Sequence, residues 1–154
     1  MTAPVIGRAD LTDPALAAFL SDHLADLAPT APPESQHALD LAALRDPRVR
    51  LWTAHVDGAL CATIALAQLE PWHEELKSMR VAQWARGRGV GRALVTFVLD
   101  DARARGVARI SLETGSQDFF APARALYAAC GFAETGPFGA YGPDPNSTFF
   151  TRVL

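Results

Sequence analysis

Three glycines at the opening of a helix, directly behind a strand, constrain this chain more than any other feature. The run is Met79-Arg80-Val81-Ala82-Gln83-Trp84-Ala85-Arg86-Gly87-Arg88-Gly89-Val90-Gly91-Arg92. After it, Val90, Leu94, Val95, Val98, Leu99 and Ala102 recur at helical spacing, with Arg92, Thr96 and Arg103 on the opposite side. Each glycine lowers helix propensity by about 1 kcal/mol, so three together call for a reason. Backbone access is that reason. A helix N-terminus presents N–H groups without partners and a partial positive charge. Glycines let a phosphate approach those groups with no Cβ in the way, and Arg80, Arg86, Arg88 and Arg92 add charge nearby. The segment reads as a pyrophosphate cradle.

The pattern on either side says what sheet carries it. Val5-Ile6 begins a short strand. Asp13 and Pro14 suit the N-cap and first position of a helix whose apolar face is Leu16, Phe19, Leu20, Leu24 and Leu27. Prolines at 29, 32 and 33 end it, and a second helix is expected over 35–44, before Pro47. Residues 51–56 and 59–69 are strand-like, and Asp57-Gly58 between them is a two-residue hairpin signal. A third strand over 74–81 leads into the cradle, so the sheet begins antiparallel. Gly106 stops the long helix, within which Asp101 and Arg105 are spaced to pair. With the strand 109–113, residues 74–113 form a β-α-β unit with a right-handed crossover. A helix over 119–130 follows, then strands near 132–133 and 148–153 around the loop 136–147. The fold class is a mixed α/β sheet: antiparallel N-terminal strands, a β-α-β-α unit, then C-terminal strands. The 154 residues suit a single domain, 1–154.

Composition narrows the partners. A net charge of −3 gives no global basic field, so neither nucleic acid nor an anionic membrane is an expected partner. No apolar run is long enough to span a bilayer, and Met1-Thr2-Ala3-Pro4 lacks the start of a signal peptide. Cys61 and Cys130 make no metal pattern or disulfide framework and sit in apolar surroundings. They read as reduced structural thiols of a cytoplasmic protein with no metal. Trp52, Trp72 and Trp84 read as packing residues. A P-loop is excluded because no Gly-Lys-Ser/Thr follows the glycines. The dinucleotide fingerprint fails because Arg92 stands where its third glycine belongs, even though Glu113 could imitate the ribose-binding acid.

The segment resembles the signature of the GNAT superfamily of N-acetyltransferases, Gln/Arg-x-x-Gly-x-Gly/Ala, which Arg86, Gly89 and Gly91 fill. The stretch Ala123-Arg124-Ala125-Leu126-Tyr127-Ala128-Ala129-Cys130-Gly131-Phe132 resembles the family's second mark, a Leu-Tyr, three residues and Gly-Phe. The resemblance covers nearly the whole chain and implies the family's acyl-CoA N-acyltransferase fold, with acetyl-CoA as cosubstrate. It implies that backbone N–H groups of Arg86, Gly87, Arg88, Gly89, Val90, Gly91 and Arg92 hold the pyrophosphate of coenzyme A. Met79 and Val81 would bond the pantetheine arm, which fits because the strand of Val81 splays from that of Ile110. The Val81 N–H would polarise the thioester carbonyl. Gln83 replaces the family's frequent proline after the strand, and Phe120 replaces its frequent asparagine before the second helix.

Amide formation needs a neutral amine and a proton for the leaving thiolate. A free alkyl amine has a pKa of about 10, so a base helps at neutral pH. Glu75 stands where family members that use a glutamate on this strand place it; the alternative is a solvated carboxylate beside Glu74. Glu70, Glu113 or a chain of waters are the other bases. Tyr127 matches the family's general acid, or else packs its ring with a wet hydroxyl. His37, expected on the second helix, would line the acceptor side. Tyr141, Asp144 and Asn146 lie in the late loop, where Asp144-Pro145-Asn146 is also plain turn chemistry. These residues imply direct transfer of acetyl to an amine, small molecule or peptide, in a ternary complex. Cys130, inside an apolar helix, is poorly placed as a nucleophile. A coenzyme A-binding sensor or partner-binding module without turnover is the other reading, and the family's habits imply a homodimer.

Overall fold

The computed structural model describes residues 2–37 and 39–154. Its strands are β1 Val5–Arg8, β2 Val49–Val56, β3 Ala59–Glu70, β4 His73–Val81, β5 Arg109–Gly115, β6 Ala133–Thr135 and β7 Ser147–Val153. The helices among the described residues are α1 Pro14–Leu27, α2 Leu41–Leu44, α3 Val90–Ala104 and α4 Ala121–Ala129. The strands form one sheet in the order β1-β2-β3-β4-β5-β7-β6. Only β4 and β5 pair in parallel, as the crossover through α3 requires. The remaining neighbours are antiparallel. The β2–β3 turn places Asp57 at φ 50° and Gly58 at φ 81°, the left-handed pair that a two-residue hairpin needs.

Strand alternation divides the core between the two faces of the sheet. Trp52, Ala54, Ile64, Leu66, Leu76, Ile110 and Leu112 pack with Val90, Leu94, Val95, Val98 and Ala102 of α3, with Tyr127 of α4 and with Cys130 just after it. On the other face Leu51 and Ala65 pack with Leu16 and Leu20 of α1 and Leu44 of α2. Helix α1 opens where expected, its Asp13 carboxylate accepting from the Ala15 N–H at 2.9 Å. Arg105 lies at the end of α3, 2.8 Å from Asp101 and bidentate to Glu74 at 2.8 Å. Cys61 and Cys130 are buried and free.

Two irregularities in β4 shape everything that follows. Thr63 pairs with Arg80 and Ala65 with Lys77, so Ser78 and Met79 together oppose Ile64. This is a β-bulge, with Ser78 at φ 53° and its carbonyl accepting from Thr63 Oγ1 at 2.8 Å. The extra residue reverses the parity of the strand. Before it, Glu75 and Lys77 face the α1 side; after it, Arg80 does, while Met79 and Val81 turn toward Gly91 of α3. The second irregularity is a split. Pairing of β4 with β5 runs only from His73↔Arg109 to Leu76↔Leu112, and the strands part beyond it.

Several expectations need correction. The helix expected over 35–44 does not form. A 3-10 turn, Pro33–Ser35, precedes α2, and the residues described between them are not helical; Ala38 lies outside the described residues. Asp40 caps α2 through the Ala43 N–H at 2.9 Å, and an Asp at that place starts a new helix instead of continuing one. Trp52 is a core residue at 2% exposure, but Trp72 and Trp84 are each 51% exposed. Arg80 is not a spare cation of the cradle: its guanidinium meets Asp26 at 2.6 Å and lies over the Phe19 ring. No helix among the described residues is long and apolar enough to cross a membrane.

Candidate active site

The split opens two connected hollows. On the α3 side a groove of about 410 Å³ is bordered by Met79, Val81, Arg86, Gly87, Gly89, Val90, Gly91 and Arg92, with Phe119, Phe120, Leu126 and Tyr127 across from them. On the α1 side a cavity of about 130 Å³ is bordered by Ser35, His37, Glu75, Lys77, Ser78, Glu113, Gln117 and Asn146. Met79, Phe120, Ala123 and Tyr127 border both, so the hollows meet where β4 and β5 separate.

The groove has the glycine-rich turn before α3 along its border. Gly87 sits at φ 73° and Gly89 at φ 80°, conformations that L side chains rarely adopt. A Cβ at either would meet no neighbour within 4 Å, so the space above them is open for a ligand. Gly91 serves packing instead: its Cβ would lie 3.1 Å from Leu126 Cδ2 and 3.3 Å from Met79 Cε. The first helical hydrogen bond runs from the Ala93 N–H to the Gly89 carbonyl, so the amides of Val90, Gly91 and Arg92 lie in the unpartnered first turn. Beside them the Ala82 N–H is spent on the Cys61 carbonyl at 2.7 Å. Alternation therefore turns the Val81 N–H toward the split. Its carbonyl accepts from Arg86 Nε at 3.0 Å. Phe120 packs against the chain at Gly115, where a Cβ would lie 2.1 Å from its Cδ2.

The cavity is where the catalytic candidates converge. Glu75 is not a solvated strand-end carboxylate; it is 6% exposed. Tyr141 Oη donates to its Oε2 at 2.5 Å, and Lys77 Nζ lies 3.3 Å from the same oxygen and donates to Tyr141 Oη at 3.1 Å. Adjacent Glu74 points to the opposite face, to Arg105. Glu113 receives the Ser147 hydroxyl at 2.7 Å. Burial pushes its carboxyl pKa up; the Ser147 hydrogen bond, His37 and Lys77 oppose that shift, and Glu75 adds to it. Tyr127 is buried, its ring against Phe132 and Phe150. Burial, with Cys130 and Glu113 nearby, raises its phenol pKa, so it stays protonated.

Of the expected acceptor-side residues, His37 and Asn146 border the cavity. His37 stands edge-on to the Tyr141 ring at 4.8 Å, on irregular backbone instead of a helix. Tyr141 reaches the site through Glu75. Asp144 is used by its own turn, accepting from the Asn146 N–H at 2.8 Å. Lys77 was overlooked in the sequence, although it stands two residues from Glu75 and so shares its face. Ser78 and Gln117 were also overlooked, and nothing in their local sequence marks them.

With this geometry in view, comparison with known proteins is direct. Residues 16–132 match the model of the Acetyltransferase (GNAT) family. An uncharacterized N-acetyltransferase of Bacillus subtilis, YsnE, is 41% identical over 145 residues, 94% of this chain and 96% of that protein. The IAA acetyltransferase of Azospirillum brasilense is 42% identical over 137 residues, 88% of this chain and 86% of that one. The crystal structure of a candidate acyl-CoA N-acyltransferase from Klebsiella pneumoniae superposes with a TM-score of 0.80 at 25% identity, covering 98% of this chain and 97% of the other. Sequence, fold and split sheet agree: this chain belongs to the GNAT acetyltransferase family and is an acyltransferase.

Proposed function

We propose that residues 1–154 act as one catalytic unit that binds acetyl-CoA in the groove and passes its acetyl group directly to an amine in the cavity. The observation that carries this reading is the meeting of groove and cavity at Tyr127, where β4 leaves β5. The amides of residues 87–92 would hold the pyrophosphate, aided by the positive end of α3, whereas the expected Arg86 N–H is spent on the Gln83 carbonyl at 3.3 Å. The pantetheine arm would lie along Met79 and Val81 as a substitute for the strand partner that β5 no longer supplies. The Val81 N–H would then face the thioester carbonyl and stabilise its developing charge. The ammonium of the acceptor would enter between Glu75 and Glu113. Glu75 Oε2 already receives the Tyr141 hydroxyl and the Lys77 ammonium, so that oxygen is engaged before any acceptor enters. Glu113 receives one hydrogen bond from Ser147, and burial raises its proton affinity, so the proton is assigned to Glu113 with Glu75 orienting the amine. Tyr127, held protonated, would donate to the departing thiolate.

The test is Tyr127→Phe. The aromatic ring keeps its packing, and a thioester sulfur is a weak acceptor in the ground state, so acetyl-CoA affinity should be unchanged. The hydroxyl matters as charge builds on sulfur, so kcat should fall by about 100-fold, the lower end for general acid catalysis. Steady-state kinetics beside calorimetric titration with acetyl-CoA separate the two effects. A kcat within about twofold of the parent would remove Tyr127 from the chemistry.

A further inference from the structure

The cavity beside Tyr127 is uneven in its chemistry, and the unevenness points to an acceptor. Building on the reading of that cavity as the amine's entrance, we propose that the acceptor is a small, singly charged amino alcohol, not an α-amino acid. The charged and titratable side chains bordering the cavity are Glu75, Glu113, Lys77, His37, His23 and Tyr127, the last held neutral by burial. Lys77 is already committed, 3.3 Å from Glu75 Oε2 and donating to Tyr141 Oη at 3.1 Å. His37 packs edge-on against Tyr141. His23 is kept neutral by burial, with Arg80 opposing a second positive charge, and its pKa is lowered to about 4. Among the described residues Glu113 has no ion-pair partner, Lys77 being paired with Glu75, and His37 and Lys77 act on it only through space. One ammonium matches it. A carboxylate carried on the acceptor would instead lie among two glutamates with no uncommitted cation among the described bordering residues.

A second observation concerns hydrogen bonds. Ser78 is 7% exposed, borders the cavity, and its Oγ has no partner. Gln117 Oε1, also buried and bordering the cavity, has none. Buried polar atoms are normally satisfied, and both of these stand where an acceptor would lie. Gln117 Oε1 can only accept, and Ser78 Oγ can do either. A hydroxyl on the acceptor meets both requirements; an alkyl chain meets neither.

Coenzyme A release with acetyl-CoA and matched amines tests this. The pairs are ethanolamine against glycine and alaninol against alanine, with propylamine as the hydroxyl-free control. In each pair the alcohol should have kcat/KM at least about 100-fold above the acid, since the acid places like charge against the glutamates. Alaninol should exceed propylamine by about tenfold, and Ser78→Gly, which suits the positive φ, should shrink that ratio toward one. Calorimetry with acetyl-CoA on the same samples distinguishes the failures. Loss of acetyl-CoA binding overturns the site reading itself. Binding with no turnover of either alcohol, with amino acids equal or preferred, or with propylamine as good as alaninol, overturns the acceptor class alone.

Discussion

Glu113 shows how one residue can be held against its preference. It sits on a strand between buried neighbours, with a single hydroxyl donor and another carboxylate close by. Burial raises its pKa, so the folded protein holds that proton more tightly than the unfolded chain does. Stability therefore falls as pH rises from the ordinary carboxylate range, about 4, through the raised value. Glu113→Gln should match the parent in Tm at about pH 4 and exceed it at pH 7–8. Thermal melts across that range are the check, and a parent at least as stable as the variant at pH 8 would show that the site compensates the charge in full. The same variant should lose turnover, because amide cannot take the amine's proton. A gain in stability with a loss in activity is the usual signature of a strained catalytic group.

At the scale of elements, α3 is held to the sheet by more than its apolar face. Arg105 closes the helix and clamps Glu74 of β4, whose side chain is 8% exposed. Removing the arginine leaves a buried carboxylate without a partner. Arg105→Met should destabilise the fold by about 3 kcal/mol, and Glu74→Leu made in the same chain should recover most of that loss. Denaturant titration of the single and double variants decides; a double variant no more stable than Arg105→Met would mean that the arginine acts through packing. The clamp also has a geometric role. It grips β4 just before the bulge at Ser78, so the strand is anchored where it parts from β5, while its pairing with β3 continues to Val81.

For the whole molecule, the split leaves the two halves of the sheet joined through four residue pairs, His73↔Arg109 to Leu76↔Leu112. A ligand lying along Met79 and Val81 would bridge the gap. Coenzyme A at about 100 times its Kd should add about 2.7 kcal/mol. For a chain of this size that raises Tm by about 5–10 °C. Hydrogen exchange should slow most at residues 79–81 and 87–92 and little in β1 and β2. A rise in Tm with protection elsewhere would place the cosubstrate outside the split.

Much of this was legible in the residues themselves, because it depends on local chemistry. Asp57-Gly58 can make a tight hairpin through φ values that few other pairs adopt, and Asp13-Pro14 can open a helix. Gly87 and Gly89 stand out because any side chain there would be strained and would cover the amides. The antiparallel opening of the sheet and its one β-α-β crossover followed from such signals, and the family from the glycine signature together with Leu126-Tyr127 and Gly131-Phe132. The expected helix over 35–44 failed because Asp40 offers its carboxylate to the backbone, a competition that periodicity does not record. Other features exist only in three dimensions. Period-two alternation would put Glu75, Lys77, Met79 and Val81 on one face; the bulge at Ser78 divides them between two hollows, and a bulge is set by the partner strand. Tyr141 lies 66 residues from Glu75, and its hydroxyl reaches that carboxylate because the late loop folds back over the sheet. Local sequence governs which dihedrals a short stretch can adopt, whereas contacts between distant stretches are chosen by the packing of the whole chain.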